Sequence, residues 1–211
     1  MALRDLDFDI HYEGVDSHIN EFVIPSLLQS KVYCRSAGYF SVSSLASVSQ
    51  GLDSVIGREG KINLLIGLHL FEGELVDIHE GVRNNPIQDG KDVLKQQFQQ
   101  LLKDIGSLEN ALALDALSTL ITMIRAGIVE IKFANPKGGL ASEIFHIKQF
   151  LFEDQQGDYV AGSGSPNETF QGQRRNYESL TVYSSWGQGS EYAERLRENF
   201  WRNWNGQSEQ L

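Results

Sequence analysis

One cysteine in 211 residues, Cys34, leaves no partner for an intrachain disulfide and fits a reducing compartment. Flanked by apolar residues, it reads as a core thiol rather than a reagent. Positive charge is also scarce. Eighteen lysines and arginines stand against 28 aspartates and glutamates, a formal net charge of −10 at pH 7. A chain of that sign cannot cover a nucleic acid broadly by charge, and anionic membranes repel it. No apolar run approaches the ~20 residues of a membrane span, and the opening stretch Met1 to Asp7 lacks the apolar segment of a secretory signal. No basic amphipathic helix stands out, so no membrane partner is expected and a cytoplasmic location is the default. Internal repeats are absent too.

What is present is local patterning. With 41% hydrophobic residues the chain can bury one good core, which implies a single domain over residues 1–205. Residues 206–211 read as a frayed tail, or as the start of a linker to a further domain. Leu3 to Tyr12 alternates partly and reads as an edge strand. Asp16 or Ser17 can cap a helix running to about Ser30 with Pro25 inside it. Val32 to Phe40 reads as a strand, Ser41 to Ile56 as a helix, and Lys61 to Gly67 as a buried strand with a nearly continuous apolar run. Strand, helix and strand at this spacing form a parallel crossover unit. Helical stripes follow over Lys91 to Ile105 and Ser107 to Arg125, then a strand at Ile128 to Phe133. Ser179 to Tyr183 reads as a strand and Glu191 to Trp204 as a helix. Trp201 and Trp204 either close the core or form the stub on which a further domain docks.

The most informative stretch runs from Phe145 to Glu178. Phe145 to Phe152 is aromatic and branched, Gln155 to Asp158 is turn chemistry, Tyr159 to Ala161 resumes the apolar run, and Gly162-Ser163-Gly164-Ser165 reads as a polar loop. On a strand, residues two apart share a face, so His146 and Lys148 point the same way and Asn167 can reach them from the loop. An imidazole beside a fixed cation and an amide donor suits a phosphoryl group.

In order these residues are His146-x-Lys148, an acidic residue at Glu153 or Asp154, Gly164-Ser165-x-Asn167, then Thr169, Gly172, Asn176 and Glu178. The set resembles the signature of the phospholipase D superfamily. Its tail is most similar to the subgroup of nucleases and helicase-associated domains in bacterial DNA-processing and defence systems. The resemblance implies an α/β fold with a mixed, largely parallel sheet flanked by helices on both faces and one motif copy per chain. It also implies that His146 is nucleophile or acid, that Lys148 and Asn167 bind phosphate, that Ser165 is a helper donor, and that Glu178 orients a site histidine. Two such motifs meet in that superfamily, so a homodimer joined through the active-site face is implied. Neither metal nor cofactor is required by that chemistry.

The other histidines carry less. His69 and His79 lie among Glu72, Glu74, Asp77 and Glu80 without the spacing of a familiar metal motif, and they read, like His11 and His18, as ordinary residues. Lys137, in a Gly-rich connector, and Arg174 and Arg175 form a local basic patch that either binds one or two phosphates or is simply solvated. Three functions compete. The first is a metal-independent phosphodiesterase on nucleic acid, with DNA preferred. A second is a catalytically idle module that dimerises or docks DNA for a helicase-type machine. Lipid phosphodiester chemistry ranks last, given the acidic surface.

Overall fold

The protein is described from a computed structural model over residues 1–38, 48–67, 119–120, 122–134, 145–166 and 175–209. Seven strands form one sheet: β1 (His11–Val15), β2 (Val32–Ala37), β3 (Lys61–Gly67), β4 (Val129–Ala134), β5 (Gln149–Glu153), β6 (Tyr159–Gly164) and β7 (Tyr177–Ser184). Their order is β1-β7-β6-β5-β2-β3-β4. The helices read over 91–105 and most of 107–125, and the acidic stretch around His69 and His79, lie outside the described residues.

The sheet is mixed, but it is parallel only along β2-β3-β4; the pairings β1-β7, β7-β6, β6-β5 and β5-β2 are antiparallel. The expectation of a largely parallel sheet is corrected accordingly. The crossover between β2 and β3 is parallel as its spacing implies, whereas the turn between β5 and β6 is too short for anything but an antiparallel hairpin. β5 is the central strand, which explains its unbroken apolar run: Phe150 and Phe152 enter one core and Leu151 the other.

Each face of the sheet carries helices. On the first, a π-helical stretch His18–Val23 continues into α1 (Ile24–Gln29), which packs against α2 (Ser49–Gly57). Pro25 is the second residue of α1, at the junction with the π-helical stretch, where it withholds an N–H from the helical ladder. Gly51 permits the α1–α2 contact, since a Cβ there would lie 2.5 Å from that of Leu27. Beneath them Phe22 meets Phe152 edge-on at 5.3 Å, and Tyr33 stacks on Phe152 at 4.9 Å. On the second face, α3 (Ser190–Trp204) lays Ala193, Phe200 and Trp204 over Cys34, Leu65, Leu151 and Ala161. Trp204 therefore closes the core. Burial pushes the Cys34 thiol up to about 12, in keeping with a packing role.

Two boundaries moved. The first apolar alternation is not a strand at Leu3 but a single 3-10 turn, Leu3–Asp5, followed by β1 at the sheet edge. The stretch Gly162 to Gly164 is strand, not loop, and Gly164 lets β7 come close: a Cβ there would meet the Ser179 carbonyl oxygen at 2.0 Å.

The two candidates for the acidic slot after His146-x-Lys148 both lie at the far end of β5. Glu153 pairs with Arg197 of α3 at 3.1 Å. Asp154 is buried and accepts from the backbone N–H groups of Leu3 at 3.0 Å, Gln156 at 2.9 Å and Asp158 at 3.0 Å. It ties the chain's start to the β5–β6 turn. Replacing it with alanine strands these donors, so Asp154→Ala is expected to lose about 2–3 kcal/mol in a denaturant titration. An unchanged midpoint would show the turn to be self-sufficient.

Candidate active site

Strand polarity gathers the motif. The C-terminal ends of β2, β3 and β6 and the N-terminal ends of β5 and β7 lie at one end of the sheet, as the registers Ser36↔Gln149, Gln149↔Ser163 and Gly164↔Leu180 require. The segment that enters β5 passes over this end. A Cβ on Gly67 would lie 2.8 Å from the Phe145 carbonyl oxygen and 2.7 Å from that of Gly38, so three backbones converge there. Phe145 to Lys148 precede β5 rather than belonging to it, which corrects their assignment to a paired strand. The chain is nonetheless already registered against β6, with Gly164 N–H and Ser163 Oγ both donating to the Lys148 carbonyl at 3.3 Å.

The shared-face expectation holds at the level of atoms. Lys148 Nζ lies 2.6 Å from His146 Nε2 and 3.3 Å from the His146 carbonyl oxygen. An ammonium only donates, so Nε2 is the acceptor and the ring proton sits on Nδ1. The His146 ring is exposed while Lys148 is buried. Lys148 follows the parity of Phe150 and Phe152, so it caps the first core at the sheet's end.

Across the site, Glu178 on β7 is also buried and follows the parity of Leu180 and Val182 toward the same face. Its Oε1 accepts from Asn176 Nδ2 at 3.1 Å and its Oε2 from Ser165 Oγ. Ser165 Oγ in turn accepts from Ser179 N–H at 3.0 Å, and the Ser165 N–H donates to the Ser179 carbonyl at 2.9 Å. The serine thus fixes the carboxylate's direction. Within one chain His146 meets Lys148, and Glu178 meets Ser165 and Asn176.

Sequence reasoning passed over Arg35. It stands in β2 among apolar residues, follows the parity of Tyr33, and is 1% exposed. Its guanidinium lies 3.6 Å from the Phe150 ring centroid and donates to the carbonyls of Ser36 at 2.9 Å and Gln149 at 3.1 Å, and to that of Pro166. The available signal was an arginine inside a buried strand, a residue type rarely enclosed without partners.

Charge follows from this packing. Burial is the larger cause that pushes the Lys148 ammonium below its ordinary range; Arg35 pushes the same way and Glu178 opposes. With the carboxylate ionised, two cations and one anion leave the site locally positive in an acidic chain, which suits an anionic group. Arg175 is exposed near the start of β7. Asn167, Arg174 and Lys137 lie outside the described residues. Among the described residues no three His, Cys, Asp or Glu side chains cluster as a metal site, and no helix is long and apolar enough to cross a membrane.

No family model matches the sequence, and no curated protein matches it. The fold is similar to that of NucT from Helicobacter pylori, with a TM-score of 0.50 at 11% identity over 92% of this chain and 95% of that one. Polyphosphate kinase from Porphyromonas gingivalis gives a TM-score of 0.50 at 13% identity, over 97% of this chain and 26% of that one. Nuc from Salmonella typhimurium, a phospholipase D family member, gives 0.48 at 13% identity over 95% and 97%. At such identities the likeness is one of fold alone.

The electrostatic balance is testable without a substrate. Since the charged form of Lys148 is disfavoured, its proton leaves at lower pH than a free lysine's, and Glu178→Gln removes the opposing influence. Nitrogen-detected NMR of the lysine ammonium is expected to show Lys148 titrating below ~10.4 and lower again in Glu178→Gln. A titration at the free-lysine position would contradict this arrangement.

Proposed function

We propose that the protein is a phosphodiesterase acting on nucleic acid, DNA by preference, through a phosphohistidine formed in a homodimeric site. The observation that carries the reading is the 2.6 Å contact between His146 Nε2 and Lys148 Nζ, which joins an exposed ring to a buried charged cluster of Arg35, Lys148 and Glu178. At rest the ammonium occupies the lone pair that an attack on phosphorus needs. A phosphate oxygen is a better, charged acceptor, so substrate draws Lys148 to itself and releases Nε2. Nε2 then forms the P–N bond as the P–O bond to the leaving group breaks, and the second copy's His146, protonated, gives its proton to that oxygen. Water, deprotonated by the same second imidazole, attacks the phosphohistidine, and His146 departs as it began. Lys148 and the Asn167 amide supply the positive charge and donors that the developing oxyanions need.

The dimer follows from counting. The chain has five histidines and one His-x-Lys, so a second imidazole aimed at the same phosphorus comes from a second copy across a twofold axis. Exposed apolar side chains at the same end of the sheet, Ile147, Val15 and Tyr177, support an association face there. The subgroup context implied by the motif, beside a helicase in a DNA-processing or defence system, fits an acidic domain that engages DNA weakly by itself. Residues 1–205 are proposed to form one domain.

Hydrolysis of labelled single- and double-stranded DNA is expected to persist in excess EDTA and to vanish in His146→Ala. Mixed in equal amounts and allowed to exchange, mutant and wild-type chains should leave about a quarter of dimers with both imidazoles, so the mutant acts as a poison. Activity that returns only with added Mg²⁺ would sink the mechanism. A mixture that tracks the wild-type amount despite exchange would sink the shared site. A chain that dimerises and binds DNA yet hydrolyses nothing would leave the idle docking module standing.

Binding by the isolated chain is expected to be weak and steeply salt-dependent. Arg174→Gln combined with Arg175→Gln should lower affinity and flatten the salt slope by about 2 without changing the circular dichroism spectrum. Equal affinity in the double mutant would mark these arginines as solvated surface.

A further inference from the structure

Arg35 leads the fully enclosed side chains of the described residues in volume, and it is charged. A guanidinium removed from water is tolerated where its N–H groups find acceptors and its face finds a ring. Here the acceptors are backbone carbonyls of both motif segments. Gln149 follows Lys148 directly, and Pro166 lies between Ser165 and Asn167. With Ser36 O at 2.9 Å and the Phe150 ring at 3.6 Å from its centroid, one side chain of β2 grips the His-x-Lys segment and the Gly-Ser-x-Asn segment together. A lysine could not do this, since its point charge lacks the planar fork that reaches several carbonyls at once. The position is also specific. Arg35 shares the sheet face of Lys148 and Glu178, and its charge is felt at Lys148.

We infer that Arg35 is a positioning residue of this site, holding the Gly164–Pro166 segment against the segment that carries His146 and Lys148 and keeping a fixed cation behind the pair. It touches neither reacting atom; it acts through the placement of the two segments and through Lys148. The inference rests on the phosphodiesterase reading for its catalytic consequence, and its structural part stands without it.

Two variants of the full chain separate the roles. Arg35→Met removes the charge and every donor while keeping the volume; Arg35→Lys keeps the charge and loses the fork. In Arg35→Met the Lys148 ammonium is expected to titrate at higher pH than in wild type, because one of the influences that lower it is gone. In Arg35→Lys it should stay low. Amide exchange at Ser165, whose N–H is held by Ser179, should quicken in both. On a phosphodiester substrate kcat should fall about 100-fold in both, the scale of a 1 Å misplacement, with KM changing far less. Lys148 titration and Ser165 exchange unmoved in a folded Arg35→Met would overturn the inference. Should Arg35→Met not fold, wild-type exchange and full kcat in Arg35→Lys would overturn it instead. A wild-type chain inert toward every phosphodiester defeats the functional reading but leaves the titration and exchange results to judge Arg35.

Discussion

Three ionisable side chains, Arg35, Lys148 and Glu178, are enclosed at one end of the sheet, and the site depends on how their desolvation is repaid. Each buried charge costs several kcal/mol unless its hydrogen bonds are made within the protein. Arg35 meets this with carbonyls and a ring, Glu178 with a hydroxyl and an amide, and Lys148 with an imidazole nitrogen and a carbonyl. The partners differ in kind. Those of Arg35 and Glu178 are tied into backbone and strand, whereas His146 is exposed and its ring nitrogen can be exchanged for another acceptor. The pocket therefore has two fixed charges and one that can be redirected.

The sheet's two halves contribute differently to this arrangement. The parallel half, β2-β3-β4, delivers carboxyl ends to a common edge, the location where ligands bind in open α/β sheets. The antiparallel half brings β5, β6 and β7 to the same edge as alternating starts and ends. Motif residues separated by a hairpin thereby become neighbours: Lys148 leads into β5, Ser165 leaves β6, and Glu178 stands near the start of β7. Gly164 is what allows the last two to close, because the Ser179 backbone occupies the space a side chain would need. The paired edge explains why a signature spread over more than one turn of chain can act as a unit.

Much of this was legible in the sequence where burial is one-sided or complete. β3 was read as Lys61 to Gly67 because both its faces are covered and the apolar run has sharp ends. α3 was read to within a residue because its stripe has helical period, closed by Trp204. What escaped depends on contacts far along the chain. The importance of Arg35 comes from Gln149 and Pro166, which no local pattern reveals. The end of β6 was mistaken for a loop because glycine and serine serve turns and close strand approaches alike. The sheet was expected to be largely parallel on the family resemblance, although the hairpin after β5 was visible. The acidic residue after the motif could not be placed because Glu153 and Asp154 are adjacent; the structure assigns both to tertiary ties at the other end of β5.

A single chain with one redirectable imidazole poses a protonation problem that the proposed pairing resolves. Attack on phosphorus needs a neutral ring, and departure of the leaving oxygen needs a protonated one. In the two identical half-sites of the proposed pair neither ring has an intrinsic claim to the proton. The bound phosphate breaks the symmetry. On the side where its oxygen takes the Lys148 ammonium, His146 Nε2 loses its donor and becomes a free nucleophile. The other ring, facing the opposite oxygen and the same negative charge, is the one that retains the proton. In the proposed mechanism the Lys148–His146 contact thus links phosphate binding to the choice of nucleophile.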